Sequence, residues 1–130
     1  MSRLADPVLV LVTAPEYRKA ADVFNAAVAH GLVCRSAPSE EAALAELVRA
    51  SGAGAVVLGT ERYSGALYEA LPVGGVIARF GVGFDGVDLT RATSRGLLCT
   101  NTPGVLDLSV GEHAISLMLA AVRSIAATDC

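Results

Sequence analysis

Residues 76–92 read VIARFGVGFDGVDLTRA. An apolar run gives way to glycines and then to a short helix-forming stretch, the pattern of a strand, a tight loop and a helix. Gly81, Gly83 and Gly86 spell G-x-G-x-x-G, which between a strand and a helix is the fingerprint of dinucleotide binding. The surroundings of the string speak against that use. The fingerprint normally opens the first βαβ unit of its domain, and here it follows a fourth strand. Phe84 and Asp85 stand where the backbone must approach a pyrophosphate, and an unpaired carboxylate there repels phosphate. The helix behind it, Asp88 to Arg95, has only about two turns. Asn101 ends the next strand where a ribose-binding acid belongs, and Asp107 lies past a Pro-Gly turn. Two readings of the residues remain. The loop is a ligand-free glycine turn, or its N–H groups cradle a small anion such as a carboxylate.

Outward from this loop the chain alternates strand and helix. PVLVLVTA (7–14) is a continuous apolar run suited to a parallel strand covered on both faces. A helix is expected over 17–30, with Ala20, Val23, Phe24, Ala27 and Val28 inward and Gly31 ending it. LVCR (32–35), AVVLG (55–59), GVIARF (75–80) and LLCT (97–100) complete five strands. Ser39 is placed to cap a helix whose buried stripe is Ala43, Leu44, Leu47 and Val48. SGALYEAL (64–71) is helix-like, and Asp88 is placed to cap LTRATSR (89–95), closed by Gly96. This order predicts an α/β fold, a five-stranded parallel sheet with helices on both faces and right-handed crossovers.

A net charge of −3 without a basic block excludes a phosphate-neutralising face, so nucleic acid is not an expected partner. Cys34, Cys99 and Cys130 lack metal-ligand or CxxC spacing, so no metal is expected. Cys34 and Cys99 read as buried free thiols of a reducing cytoplasm, the expected location. Residues 107–127, DLSVGEHAISLMLAAVRSIAA, predict a long C-terminal helix that is apolar on nearly every side. Glu112, His113 and Arg123 argue against a membrane span. Such a helix should be buried all round, and few residues follow it. Its cover is therefore expected from a second copy or from further chain.

Residues 76–125 resemble the end of the substrate-binding domain of D-isomer-specific 2-hydroxyacid dehydrogenases. The resemblance rests on an ordered set: G-V-G-x-D-x-V-D, then R-G-x-x-x-T-N-T-P-G, then a V-x-E-H-type helix. Residues 1–75 agree in pattern only. The resemblance implies a flavodoxin-like substrate lobe at 1–104 and a helix at 105–130 that crosses to a separate Rossmann domain. That domain would carry the NAD or NADP site and the catalytic Arg, Glu and His. It is expected to be absent here, leaving no catalytic residue in the chain and no stable cofactor binding. The N–H groups of Val82 and Gly83 are implied to hold the carboxylate of a small 2-hydroxy or 2-oxo acid. Leu106 and Val110 would face the substrate or the nicotinamide end, with Val82 and Val110 nearest the cofactor. Arg79 either adds charge to this pocket or pairs with Asp85 or Asp88. His113 matches the helix motif and reads as a packing residue. The expected function is the substrate-binding part of an NAD(P)-dependent dehydrogenase, inactive alone. The alternative is a non-catalytic module that dimerises or binds a small carboxylate.

Overall fold

The computed structural model describes residues 6–125. Five strands form one parallel sheet: β1 (Val8–Thr13), β2 (Leu32–Ala37), β3 (Ala55–Leu58), β4 (Val76–Arg79) and β5 (Leu98–Thr100). Their order is β2-β1-β3-β4-β5, the arrangement of flavodoxin-like doubly wound folds. The helices are α1 (Ala14–Lys19), α2 (Ala21–Ala26) with a 3-10 turn at Ala27–His30, α3 (Glu41–Ser51), α4 (Ala66–Ala70), α5 (Leu89–Ser94) and α6 (Asp107–Val122).

The register explains where the core sits. Leu11, Val56, Ile77 and Cys99 are direct neighbours across four strands. They meet Leu44 and Val48 of α3, Leu67 and Tyr68 of α4, and Ala92 of α5 in one cluster. Because side chains alternate along a strand, Val10, Ala55, Val76 and Leu98 form the matching row on the opposite face. There α2 covers the β2 side, and Phe24 reaches Phe80 just beyond β4 at 6.1 Å between ring centroids. Helices thus lie on both faces, but the second face is covered only in part: Leu98 is 62% exposed.

Two polar groups, one fully buried and one half-buried, lock the loops to this core. The Tyr68 hydroxyl, fully buried, donates to the Tyr63 carbonyl at 2.9 Å and accepts the Asp88 N–H at 2.7 Å. It thereby ties α4 to the start of α5. Helix α4 begins at Gly65, which has no side chain to cap it, and Glu41 of α3 supplies the acceptor. Its carboxylate takes the N–H groups of Ser64, Gly65 and Leu67 at 3.0, 2.7 and 3.2 Å.

Several local expectations are corrected. The helix expected at 17–30 starts at Ala14 and breaks at Ala20, whose φ of −146° is not helical. Val23 and Val28 consequently face solvent, while Gly31 does terminate the segment in the left-handed region. Glu40 rather than Ser39 caps α3, accepting from Ala42 and Ala43. The longer carboxylate reaches both N–H groups, and the Ser39 carbonyl accepts from Tyr63 instead. Cys34 and Cys99 are half-buried rather than buried, both unpaired, and burial pushes both thiols up. The long apolar helix expected over 107–127 is also corrected. Helix α6 has 16 residues and stops at Val122, and Ser124 follows at a φ of 52°, a left-handed turn that ends the run. Among the described residues no helix is long and apolar enough to cross a membrane. Cys130 lies outside the described residues.

Burial pushes the Glu41 carboxyl up, and the three backbone N–H bonds outweigh it, so the group sits below its ordinary value of 4.5. A lowered folded pKa contributes stability above the unfolded value, and that contribution is lost as pH falls through the folded one. Urea melts should therefore show stability declining below about pH 4.5, and Glu41→Gln should flatten that decline while lowering stability at pH 7. Tyr68→Phe leaves the Asp88 N–H and the Tyr63 carbonyl without partners and should cost about 1–3 kcal/mol in the same measurement.

Candidate functional site

The loop after β4 is shaped by what holds its carbonyls. Thr102 N–H donates to the Gly81 carbonyl at 3.0 Å, and Asn101 Nδ2 donates to the Val82 carbonyl at 2.7 Å. A trans peptide points its C=O and N–H in opposite directions. With two consecutive carbonyls drawn toward 101–102, the N–H groups of Val82 and Gly83 are turned away from that segment. Among the described residues neither donates to a protein acceptor. Two adjacent free N–H dipoles at the carboxyl edge of a parallel sheet can hold a carboxylate.

Two glycines make this loop possible, for different reasons. Gly81 has a φ of 145°, and a Cβ there would lie 2.7 Å from the Arg79 guanidinium. At Gly86 a Cβ would collide with the backbone carbonyl of Glu61, because Tyr63 N–H bonds the Gly86 carbonyl at 3.0 Å and draws the chains together. The third glycine of the string is thus spent on protein backbone. With a helix of six residues behind it and Phe84 and Asp85 exposed in the loop, the string does not fit a pyrophosphate.

The sequence-derived site residues do not all converge. Leu106 lines an apolar recess of about 320 Å³ together with Phe80, Gly81, Thr102 and Val105. Val82 and Gly83 lie beside it in the exposed loop. Val110 sits one helical turn beyond Leu106 and does not line the recess. Arg79 points to the other side of the sheet, into a cavity of about 160 Å³ that includes Cys99 and Asn101. Its guanidinium donates to the Phe80 carbonyl. It forms no ion pair among the described residues, and Asp88 instead caps α5 and meets Arg91 at 3.8 Å. His113 is exposed on α6.

Sequence reasoning missed two features. Asn101 is the residue that orients the Val82–Gly83 peptide, and its signal was the T-N-T-P-G string. The second is the crevice between β1 and β3, where the strand order reverses and ligands often bind. Here it is filled with carboxylates. Glu16 and Glu61 oxygens crowd Gly59, at 2.5 and 2.6 Å from where its Cβ would be. Glu16 is buried, accepting from Thr13 Oγ1 at 2.5 Å and pairing with Lys19 at 3.1 Å. Burial pushes the Glu16 carboxyl up, and the bonds from Thr13 and Lys19 outweigh it and hold it low. A negative crevice repels an anion, which leaves the β4 loop as the better carboxylate site.

The open parallel α/β sheet, with strand order β2-β1-β3-β4-β5, places the chain in the doubly wound class. Residues 9–129 match the family described as D-isomer specific 2-hydroxyacid dehydrogenase, catalytic domain. The chain belongs to that family. It is 38% identical over 74 residues to a glyoxylate reductase of Korarchaeum cryptofilum, 57% of this chain and 22% of that protein. It is 50% identical over 54 residues to a D-3-phosphoglycerate dehydrogenase of Archaeoglobus fulgidus, 42% of this chain and 10% of that one. Among solved structures it resembles a 2-hydroxyacid dehydrogenase of Ketogulonicigenium vulgare, with a TM-score of 0.73 and 27% identity over 97% of this chain and 39% of that one. An NADPH-dependent glyoxylate/hydroxypyruvate reductase of Sinorhizobium meliloti, solved with NADP and malonate, gives a TM-score of 0.66 and 28% identity over 89% of this chain and 34% of that one. The chain therefore covers well under half the length of these relatives.

The glycines supply a matched test. Gly86→Ala forces a Cβ into backbone and should destabilise the fold by about 1–3 kcal/mol in urea melts. Gly83→Ala meets no atom within 4 Å and requires no left-handed φ, so its melt should superimpose on that of the parent chain.

Proposed function

We propose that this chain is the substrate-binding part of an NAD(P)-dependent D-2-hydroxyacid dehydrogenase and that its β4 loop holds the substrate carboxylate. The observation that carries this reading is the pair of outward N–H groups at Val82 and Gly83, oriented by Asn101 and Thr102. The relatives' names support glyoxylate, hydroxypyruvate or phosphoglycerate as the substrate class, and the malonate bound to one of them is itself a carboxylate. Glyoxylate places its carboxylate next to the carbonyl carbon that is reduced, so gripping the carboxylate fixes the reacting centre. The apolar recess with Phe80 and Leu106 excludes water beside it.

A nicotinamide cofactor supplies the hydride in this family. The described residues offer no grip for its pyrophosphate, so no step of the reaction is assigned to this chain beyond binding and orientation. Neither half-buried thiol is a candidate nucleophile, since burial pushes both up. Alone, the chain is inactive, and α6 is the surface that joins the lobe to the cofactor-binding part. A second reading, a non-catalytic module, is favoured by one observation: the apolar side chains of α6 are exposed along its length.

Titration of ¹⁵N-labelled chain with oxalate or glyoxylate should shift the amide signals of Val82 and Gly83 first. Asn101→Ala should weaken that binding about tenfold, the loss of one well-made hydrogen bond. Shifts confined to other segments would remove the loop from the function. NAD(P)H oxidation by the chain alone, abolished by Gly83→Val, would refute the binding-only role.

A further inference from the structure

We propose that Phe24 sets how long a substrate tail the recess beside the β4 loop accepts, by holding the ring of Phe80 in place from outside that recess. The proposal rests on the carboxylate role of the loop.

The Phe80 backbone is fixed by the sheet, since its N–H donates to the Leu58 carbonyl at 2.9 Å. The direction of its ring is then decided by the side chains around it. The ring forms part of the recess wall together with Val105 and Leu106. It also meets the ring of Phe24, at 6.1 Å between centroids and 46° between planes. Phe24 does not line the recess. It belongs to the wall of a separate pocket, with Val28 and Leu32.

The break at Ala20 builds the support for Phe24. In one continuous helix Tyr17 and Phe24 would stand about 10.5 Å apart along the axis, and Tyr17 and Asn25 about 12 Å. Instead the Tyr17 and Phe24 rings stack at 5.6 Å with 16° between their planes. The Tyr17 hydroxyl donates to Asn25 Oδ1 at 2.7 Å. The non-helical φ of −146° at Ala20 turns α1 against α2 and brings these side chains together. The rings of Tyr17, Phe24 and Phe80 thus run in sequence from α1 to the recess.

The recess begins where the carboxylate is held, because Gly81 lines it and Val82 follows in the chain. With a carboxylate on the Val82 and Gly83 N–H groups, the recess is the apolar space next to the substituent on the reacting carbon. Glyoxylate carries only hydrogen there and needs no such space. A longer aliphatic 2-oxo acid does need it, and the Phe80 ring limits the room. Backed by Phe24, that ring cannot turn away without breaking the stack. With a small side chain behind it, the ring has another staggered rotamer open to it and the recess deepens. Apolar pockets discriminate by size through such limits. The lobe as built therefore favours short-tailed acids, and the selecting residue lies on α2, outside the site.

Glyoxylate and 2-oxohexanoate share the 2-oxo acid group and differ in the tail, so the ratio of their dissociation constants reads the recess. Both are titrated into ¹⁵N-labelled chain and followed at the Val82 and Gly83 amides. Phe24→Ala should move the ratio toward the longer acid by about fivefold or more. Phe24→Leu should move it the same way by less, and carries the test should Phe24→Ala not fold. Phe24→Tyr keeps a ring in place and should retain the parent ratio, as should Val23→Ala at an exposed neighbouring position. A merely structural role for Phe24 would weaken both acids alike and leave the ratio unmoved. That unmoved ratio, with glyoxylate still bound at the loop, overturns this proposal alone. No glyoxylate shift at Val82 and Gly83 in the parent chain overturns the loop reading and this proposal with it.

Discussion

The candidate site depends on two carbonyls being held from behind. Thr102 and Asn101 draw the Gly81 and Val82 oxygens toward the end of β5, and peptide planarity then turns the next two N–H groups outward. The glycine at 81 allows the backbone to take this path beside the Arg79 guanidinium, and the glycine at 86 lets the loop close against Glu61. The candidate surface is main chain, so its geometry comes from these tethers rather than from a side chain.

Charge distinguishes the two parts of the sheet edge. At the reversal between β1 and β3 the edge carries buried Glu16 and, beside it, Glu61. At the β4 loop the Val82 and Gly83 N–H dipoles point outward, with the Arg79 guanidinium beside Gly81 and the exposed Asp85 two residues after Gly83. The two edges share one fold and have opposite preferences. Fold class alone would have pointed to the first, and the particular residues point to the second.

Strand assignment was legible because parallel strands buried on both sides read as unbroken apolar runs. Asp88 as a helix cap and the glycine stops at 31 and 96 were legible because their chemistry is local. Other features were not legible, some because the deciding partner is distant in sequence. Glu41 caps α4 from more than twenty residues away, and a regular periodicity at 17–30 concealed the break at Ala20. Arg79 was open between a pocket role and an ion pair. Strand register sent it to the face opposite the recess that Leu106 lines.

The order of apolar runs and glycines by itself determined the alternating α/β architecture, and the ordered motifs from Gly81 to His113 pointed to the family, since both follow from residue types at fixed spacing. The tertiary structure alone decided that Asn101 orients the peptides of the glycine loop, that the third glycine of the string is spent on packing against Glu61, and that one sheet face is covered only in part. The physical reason is the same in each case. Hydrogen bonding and burial are settled between segments that are far apart along the chain, and no local pattern contains both partners.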